Sequence, residues 1–218
     1  MSTRSLTIDE TLQHYIVAHS GIDPLVAALI EETQTQLGDA ATMQISAEQA
    51  AFTTTLTRLL GARSAVEIGT FTGLSALSIA RGLPADGHLL CCDVSEEWTA
   101  VGRRYWELAG VADRIELRIA PAAETLAALP TDATIDLAFI DADKTGYPTY
   151  WAELVPRMRP GGVILVDNTL WSGRVVDPAD SSDDTVAIRA FNELVTADER
   201  MESVILPIGD GLTLARKR

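Results

Sequence analysis

Two apolar runs in this chain stop at clusters of oxygen-bearing side chains. Ile135 to Ile140 leads into Asp141-Ala-Asp-Lys144, with Tyr147 three residues further on. Gly162 to Val166 leads into Asp167-Asn168-Thr-Leu-Trp-Ser-Gly173. If the two runs are neighbouring strands, Asp141, Asp167 and Asn168 supply three oxygen ligands and leave positions for water or substrate oxygens. All-oxygen ligation with open positions suits Mg²⁺ first, with Mn²⁺ or Ca²⁺ as alternatives, rather than zinc. Two acids converging on one spot repel each other, and a bound cation removes that conflict. Either cluster alone also reads as helix caps and a turn residue; the two together favour the metal.

A second pair of carboxylates lies earlier. The run Ala65-Val-Glu-Ile68 enters Gly69-Thr-Phe-Thr-Gly73 and then Leu74-Ser75. Glycines at 69 and 73 let the backbone turn sharply and approach a ligand. The spacing differs from the G-x-G-x-x-G turn that sets a helix N-terminus against a pyrophosphate, and Glu67 would repel such a group. Glu67 suits a ligand with positive charge, as the sulfonium and amino groups of S-adenosylmethionine carry. Asp93 ends the next strand, 26 residues after Glu67, where a carboxylate accepts hydrogen bonds from both ribose hydroxyls. The turn, Glu67 and Asp93 together point to an adenosine cofactor. The alternative is a tight turn with two N-cap acids.

These residues need a scaffold that gathers strand ends. Apolar residues at three- and four-residue spacing predict helices from Leu6 to about His19, from Asp23-Pro24 to Leu37 and from Ser46 to Leu60. Asp23 and Ser46 are the N-caps, Pro24 occupies the first helical position, and Gln49 follows Ser46 at capping-box distance. From residue 64, β-like runs at 65–68, 88–92, 114–119, 135–140 and 162–166 alternate with helical stretches at 73–82, 95–109, 121–129, 146–157 and 183–198. Closing strands at 201–206 and 211–216 flank Ile208-Gly-Asp-Gly211. This order predicts an α/β fold: a seven-stranded, mostly parallel sheet with one antiparallel strand and helices on both faces. Ligands in such sheets sit beyond the carboxyl ends of the strands. With no repeat or linker, one domain is expected over residues 1–218, residues 1 to about 60 forming N-terminal helices that cover the site.

Composition narrows the partners. The net charge is −14, which argues against a nucleic-acid backbone or an anionic membrane surface as partner. Cys91 and Cys92 are adjacent, so on a strand they face opposite sides and read as buried small hydrophobes. His14, His19 and His88 are scattered outside any motif. The opening MSTRSLTIDE lacks an apolar signal core and no run approaches the length of a membrane span, so a cytoplasmic location is expected.

With these motifs the chain resembles the cation-dependent O-methyltransferases, the group that contains caffeoyl-CoA and catechol O-methyltransferases. The resemblance runs from Met43-Gln-Ile-Ser46 through Val66-Glu-Ile-Gly-Thr-Phe-Thr-Gly73, Asp141-Ala-Asp-Lys144 and Asp167-Asn-Thr-Leu-Trp171 to Gly209-Asp-Gly-Leu-Thr213. It implies Asp141, Asp167 and Asn168 as metal ligands. Glu67, Gly69, Thr70, Ser75 and Asp93 become cofactor contacts, with Ile45 and Ala122 lining the pocket. Lys144 becomes the general base, with Asp141 beside it among the catalytic residues. A Rossmann-like methyltransferase fold and a homodimer are also implied. Two positions depart from the plant members, which usually carry Asn where this chain has Gly146 and Ser172. Both lie on the substrate side in that family, so a coenzyme A ester is doubtful as acceptor.

The expected reaction is transfer of a methyl group from S-adenosylmethionine to a hydroxyl of a small aromatic vicinal diol. A cation chelates both oxygens and Lys144 takes the proton. Trp171 and Tyr147 either stack on the acceptor ring or belong to the core. The competing expectation is a nicotinamide-dependent oxidoreductase on a related sheet.

Overall fold

The computed structural model describes residues 6–218, so the first five residues of the MSTRSLTIDE opening lie outside the described part. Seven strands form one sheet: β1 (Ser64–Ile68), β2 (His88–Asp93), β3 (Ile115–Ile119), β4 (Ile135–Ile140), β5 (Met158–Val166), β6 (Met201–Leu206) and β7 (Leu212–Lys217). Their spatial order is β3-β2-β1-β4-β5-β7-β6. The first five are parallel, and β7 inserts between β5 and β6 antiparallel to both. The strand order reverses between β1 and β4, and that switch point opens a crevice at their carboxyl ends.

Helices cover both faces, as the near-continuous burial of the central strands requires. Ala65, Leu89, Cys91, Leu137, Phe139 and Leu165 point to one face, under α2 (Pro24–Leu37), α3 (Ala47–Leu59), α4 (Leu74–Gly82) and α5 (Glu96–Leu108). Val66, Leu90, Cys92, Ala138, Ile140 and Ile164 point to the other, under α6 (Ala122–Ala127), α7 (Tyr147–Arg157) and α8 (Asp183–Ala197). The adjacent cysteines therefore enter opposite cores, both fully buried. Burying each large side chain of these layers contributes about 1.5–3 kcal/mol.

Two expected boundaries move. The first helix, α1 (Glu10–Ala18), starts at Glu10 rather than Leu6, because the Asp9 carboxylate accepts the Leu12 amide at 2.9 Å and fixes the cap there. β5 starts at Met158 rather than Gly162, since Met158 pairs with Ile135 across a register shift. Among the described residues, no helix is long and apolar enough to cross a membrane.

The N-terminal region docks through polar contacts. Thr33 of α2 donates to Thr72 in the β1–α4 loop at 3.0 Å, and the Gln44 amide donates to both hydroxyls at 3.0 and 2.9 Å. Both threonines are fully buried, Gln44 is half-buried, and the Thr33 hydroxyl also reaches the Leu29 carbonyl at 2.8 Å, so the group fixes α2 and the segment before α3 against that loop.

Candidate active site

The β1–α4 turn is shaped by one close approach. A Cβ on Gly69 would lie 1.8 Å from the Asp141 carbonyl oxygen, and φ there is +85°. Only glycine lets the chain leave β1 so near β4. The turn is then held by Asp93: its Oδ2 accepts the amides of Thr70 and Phe71, each at 2.8 Å, and its Oδ1 accepts the Ser95 amide at 2.8 Å. Asp93 thus organises the loop as well as facing the cleft. Oδ1, with a single amide, keeps more capacity for a ligand hydroxyl.

A cavity of about 920 Å³ opens at the switch point. Of the residues expected to meet a cofactor, Ile45, Gly69, Thr70, Ser75, Asp93 and Ala122 line it. Asp141, Lys144, Asp167 and Asn168 line the same cavity, so both predicted ends form one site. Glu67 does not line it. Strand alternation turns its side chain to the face under α4, where it is 0% exposed. Burial pushes its carboxyl up to about 7, against partial relief from Ser75, Cys91 and Thr70 nearby. Those groups stop short of hydrogen-bond geometry, and both Glu67 oxygens lack a partner, as does the Thr70 hydroxyl on the cavity wall. A direct Glu67 contact therefore stays an expectation: in this structure the acid stands behind the loop that lines the cavity, with both oxygens unpartnered.

The other end is built by β4 and β5. Parallel pairing sets Ile140 beside Val166, so Asp141 and Asp167 emerge side by side. Asn168 leaves the extended conformation, with φ +58°, a left-handed geometry that Asn tolerates better than most residues. That break in alternation lets consecutive side chains, Asp167 and Asn168, serve one cleft. Lys144 stands among them, its side chain 10% exposed. Its Nζ donates to Asp141 Oδ1 at 3.0 Å, Asn168 Oδ1 at 2.6 Å and the Tyr147 hydroxyl at 2.7 Å. The ammonium therefore occupies the position of a cation shared by two of the three predicted metal donors.

Burial pushes the Asp141 carboxyl above its usual range, with Lys144 opposing the shift. Asp167 is pushed up by burial and then by the charge of Asp141. Asp141 raises Asp167 and Asp210 raises Asp141, so this acidic corner is short of positive charge, and one ammonium bonded to Asp141 alone does not supply it. A divalent cation fits this donor set. Among the described residues, no group of three or more His, Cys, Asp or Glu side chains gathers here or elsewhere; the third donor of this set is the Asn168 amide oxygen.

The aromatic residues separate. Tyr147 is fully buried, edge-on to Phe191 at 5.3 Å, and its hydroxyl donates to the Asp167 carbonyl at 3.2 Å. It belongs to the core and does not stack on a ligand. Trp171 lines the cavity, its ring 5.6 Å from Lys144 Nζ. Ser172 lines it too, whereas Gly146 does not. A Cβ at Gly146 would meet Asp143 Oδ2 at 2.5 Å and the Tyr150 ring at 2.7 Å, so glycine there makes room for the Tyr150–Asp143 hydrogen bond of 2.5 Å.

Sequence reasoning missed Phe71, Trp98, Asp143, Tyr150 and Asp210, all on the cavity wall. Tyr150 was within reach, since it follows Tyr147 by one helical turn. The Phe71–Trp98 edge contact at 5.3 Å joins two elements and has no local cue.

A family model described as O-methyltransferase matches residues 17–218. "Probable caffeoyl-CoA O-methyltransferase 2" of Dictyostelium discoideum is 40% identical over 214 residues, covering 96% of this chain and 92% of that protein. The mouse (Mus musculus) catechol O-methyltransferase domain-containing protein 1 is 36% identical over 217 residues, covering 96% and 80%. The crystal structure of an O-methyltransferase from Bacillus cereus in complex with SAH superposes with a TM-score of 0.85 at 29% identity, covering 95% of this chain and 97% of that one.

Proposed function

The chain belongs to the O-methyltransferase family, and from that premise we propose that it methylates one hydroxyl of a small aromatic vicinal diol. The methyl donor is S-adenosylmethionine, and Asp141, Asp167 and Asn168 hold a divalent cation, Mg²⁺ first. The observation that carries this proposal is the one cavity whose wall joins the Gly69–Asp93 turn to the adjacent Asp141 and Asp167 carboxylates, the second raised by the charge of the first. The family leaves no support for the nicotinamide alternative.

When bound, the cofactor supplies an activated methyl group and the cation acidifies a hydroxyl that it touches. The chain supplies position and proton handling. Asp93 and the amides it orders fix the turn on which the cofactor would rest. Lys144 faces the reacting position from α7's entry, and its three protons are spent on Asp141, Asn168 and Tyr147. To act as general base it would first give one of those protons to solvent and then take the acceptor hydroxyl's proton in its place, the Tyr147 hydroxyl holding Nζ throughout. Burial, then the charges of Asp141 and Asp167, holds the Tyr147 phenol neutral, well above its usual range, so this support persists at working pH. Much of the rate gain comes from orientation rather than covalent chemistry.

The cavity wall supports a small acceptor. Trp171 and Tyr150 offer flat apolar surfaces for an aromatic ring. Among the described residues that line the cavity, Lys144 is the only basic one, which favours an acceptor without phosphates. The proposed assembly is a homodimer, supported by exposed Leu6, Ile8 and Tyr15 around an α1 that buries none of its own residues. Light scattering on the purified protein should return twice the chain mass.

The test is methyl transfer to a panel of catechols and their mono-hydroxyl analogues. Excess EDTA should abolish transfer and Mg²⁺ should restore it, with the mono-hydroxyl compounds inert. Undiminished transfer in EDTA refutes the metal.

A further inference from the structure

Gln49 stands in the first turn of α3, where the sequence pattern Ser46-Ala-Glu-Gln49 predicts a reciprocal capping box. Only half of that box forms. Ser46 Oγ accepts the Gln49 amide at a long 3.4 Å, but the Gln49 side chain does not return to Ser46. It is 1% exposed and reaches across the molecule, its Nε2 donating to Asp167 Oδ2 at 2.9 Å, 118 residues away in the chain. A carboxylate only accepts, so the nitrogen end of the amide must face Asp167. The oxygen end needs room. A Cβ on Gly209 would lie 2.5 Å from Gln49 Oε1, so the glycine of the β6–β7 turn leaves room for that orientation.

Asp167 is thereby clamped from two sides. Its Oδ1 accepts the Asn168 amide at 2.7 Å and its Oδ2 accepts Gln49. Two donors on different oxygens fix the carboxylate plane, and each oxygen keeps lone-pair capacity toward the cleft. Both donors are neutral, so the charge of Asp167 is not cancelled in advance. Lys144, by contrast, bonds Asp141 and Asn168.

We propose that Gln49 is a positioning residue for the Asp167 carboxylate, so that affinity for the divalent cation depends on how α3 is seated. The inference rests on the cation proposed above. It adds that an amide from the N-terminal region, outside the ligand set, determines how well the ligands hold it.

The test titrates Mn²⁺ into the intact protein, following the free-ion signal by electron paramagnetic resonance, and measures S-adenosylhomocysteine binding separately by calorimetry. Gln49→Leu and Gln49→Met fill similar space without a donor. Both should bind Mn²⁺ about 10–100-fold more weakly than wild type, the range for losing a partner of a metal ligand. Binding of S-adenosylhomocysteine should stay within about twofold, which a general loss of structure would not allow. Mn²⁺ affinity unchanged in both variants overturns the inference while leaving the metal site intact. Equal weakening of Mn²⁺ and S-adenosylhomocysteine also overturns it, by showing a merely structural role. Wild-type protein that binds no Mn²⁺ overturns the cation proposal itself, and this inference with it.

Discussion

Lys144 is both the nearest cation to a buried acid and the proposed base, and substitution should separate the two roles. Lys144→Met removes the ammonium that Asp141 and Asn168 share. It leaves a buried carboxylate uncompensated, at a cost of the order of 3 kcal/mol. Saturating Mn²⁺ should return most of that loss, so the variant's melting temperature should rise more with Mn²⁺ than that of wild type. Its kcat should stay depressed by about 10²–10⁴-fold even with metal bound, the usual contribution of a general base. Full activity on adding metal would limit Lys144 to charge balance. Asp141→Ala should lose metal-dependent turnover, with S-adenosylhomocysteine binding retained as the check that the fold survives. Gly69→Ala tests the backbone beneath both ends. Its Cβ has no room against Asp141, and a positive φ costs a further 1–2 kcal/mol, so the variant should melt well below wild type.

Elements carry the site because strands end where their apolar runs end. That rule made β4, β5 and their terminal acids legible, since Ile140→Asp141 and Val166→Asp167 are abrupt changes from buried apolar to charged. What was not legible depends on contacts between distant elements. Gln49 looks like a local cap until α3 is placed against β5, and Glu67 looks like a lining residue until the sheet's alternation turns it inward. One such distant contact also governs acid stability. Asp198, just past α8, accepts the Trp151 indole of α7 at 2.9 Å and pairs with Arg200. The Arg200 guanidinium holds its carboxyl far below the usual range; burial opposes this and the Trp151 bond adds to it. A depressed folded-state pKa gives stability that is present above the unfolded value, near about 4, and lost as pH falls toward the folded value. Asp198→Ala leaves the fully buried indole N–H without a partner and should cost about 1–3 kcal/mol at pH 7. The gap to wild type in urea melts should narrow below pH 4; a gap independent of pH would contradict the assignment.

At the scale of the whole molecule, one sheet unites the two ends of the site, and the N-terminal region is fastened to both. The Thr33–Thr72–Gln44 cluster ties α2 to the cofactor turn, and Gln49 ties α3 to Asp167. The N-terminal region touches the cavity through residues 42–45, with no lining residue from α1 or α2. A net charge of −14 is consistent with a small-molecule acceptor and a bound cation rather than a phosphate backbone. The central claim is that a divalent ion is shared by the ends of β4 and β5. Anomalous diffraction from crystals grown with Mn²⁺ and S-adenosylhomocysteine tests it most directly. The account predicts a strong manganese peak within coordination distance of Asp141, Asp167 and Asn168, with Lys144 Nζ withdrawn from at least one of its present carboxylate and amide partners. An empty position there, with Lys144 still bridging Asp141 and Asn168, would contradict it.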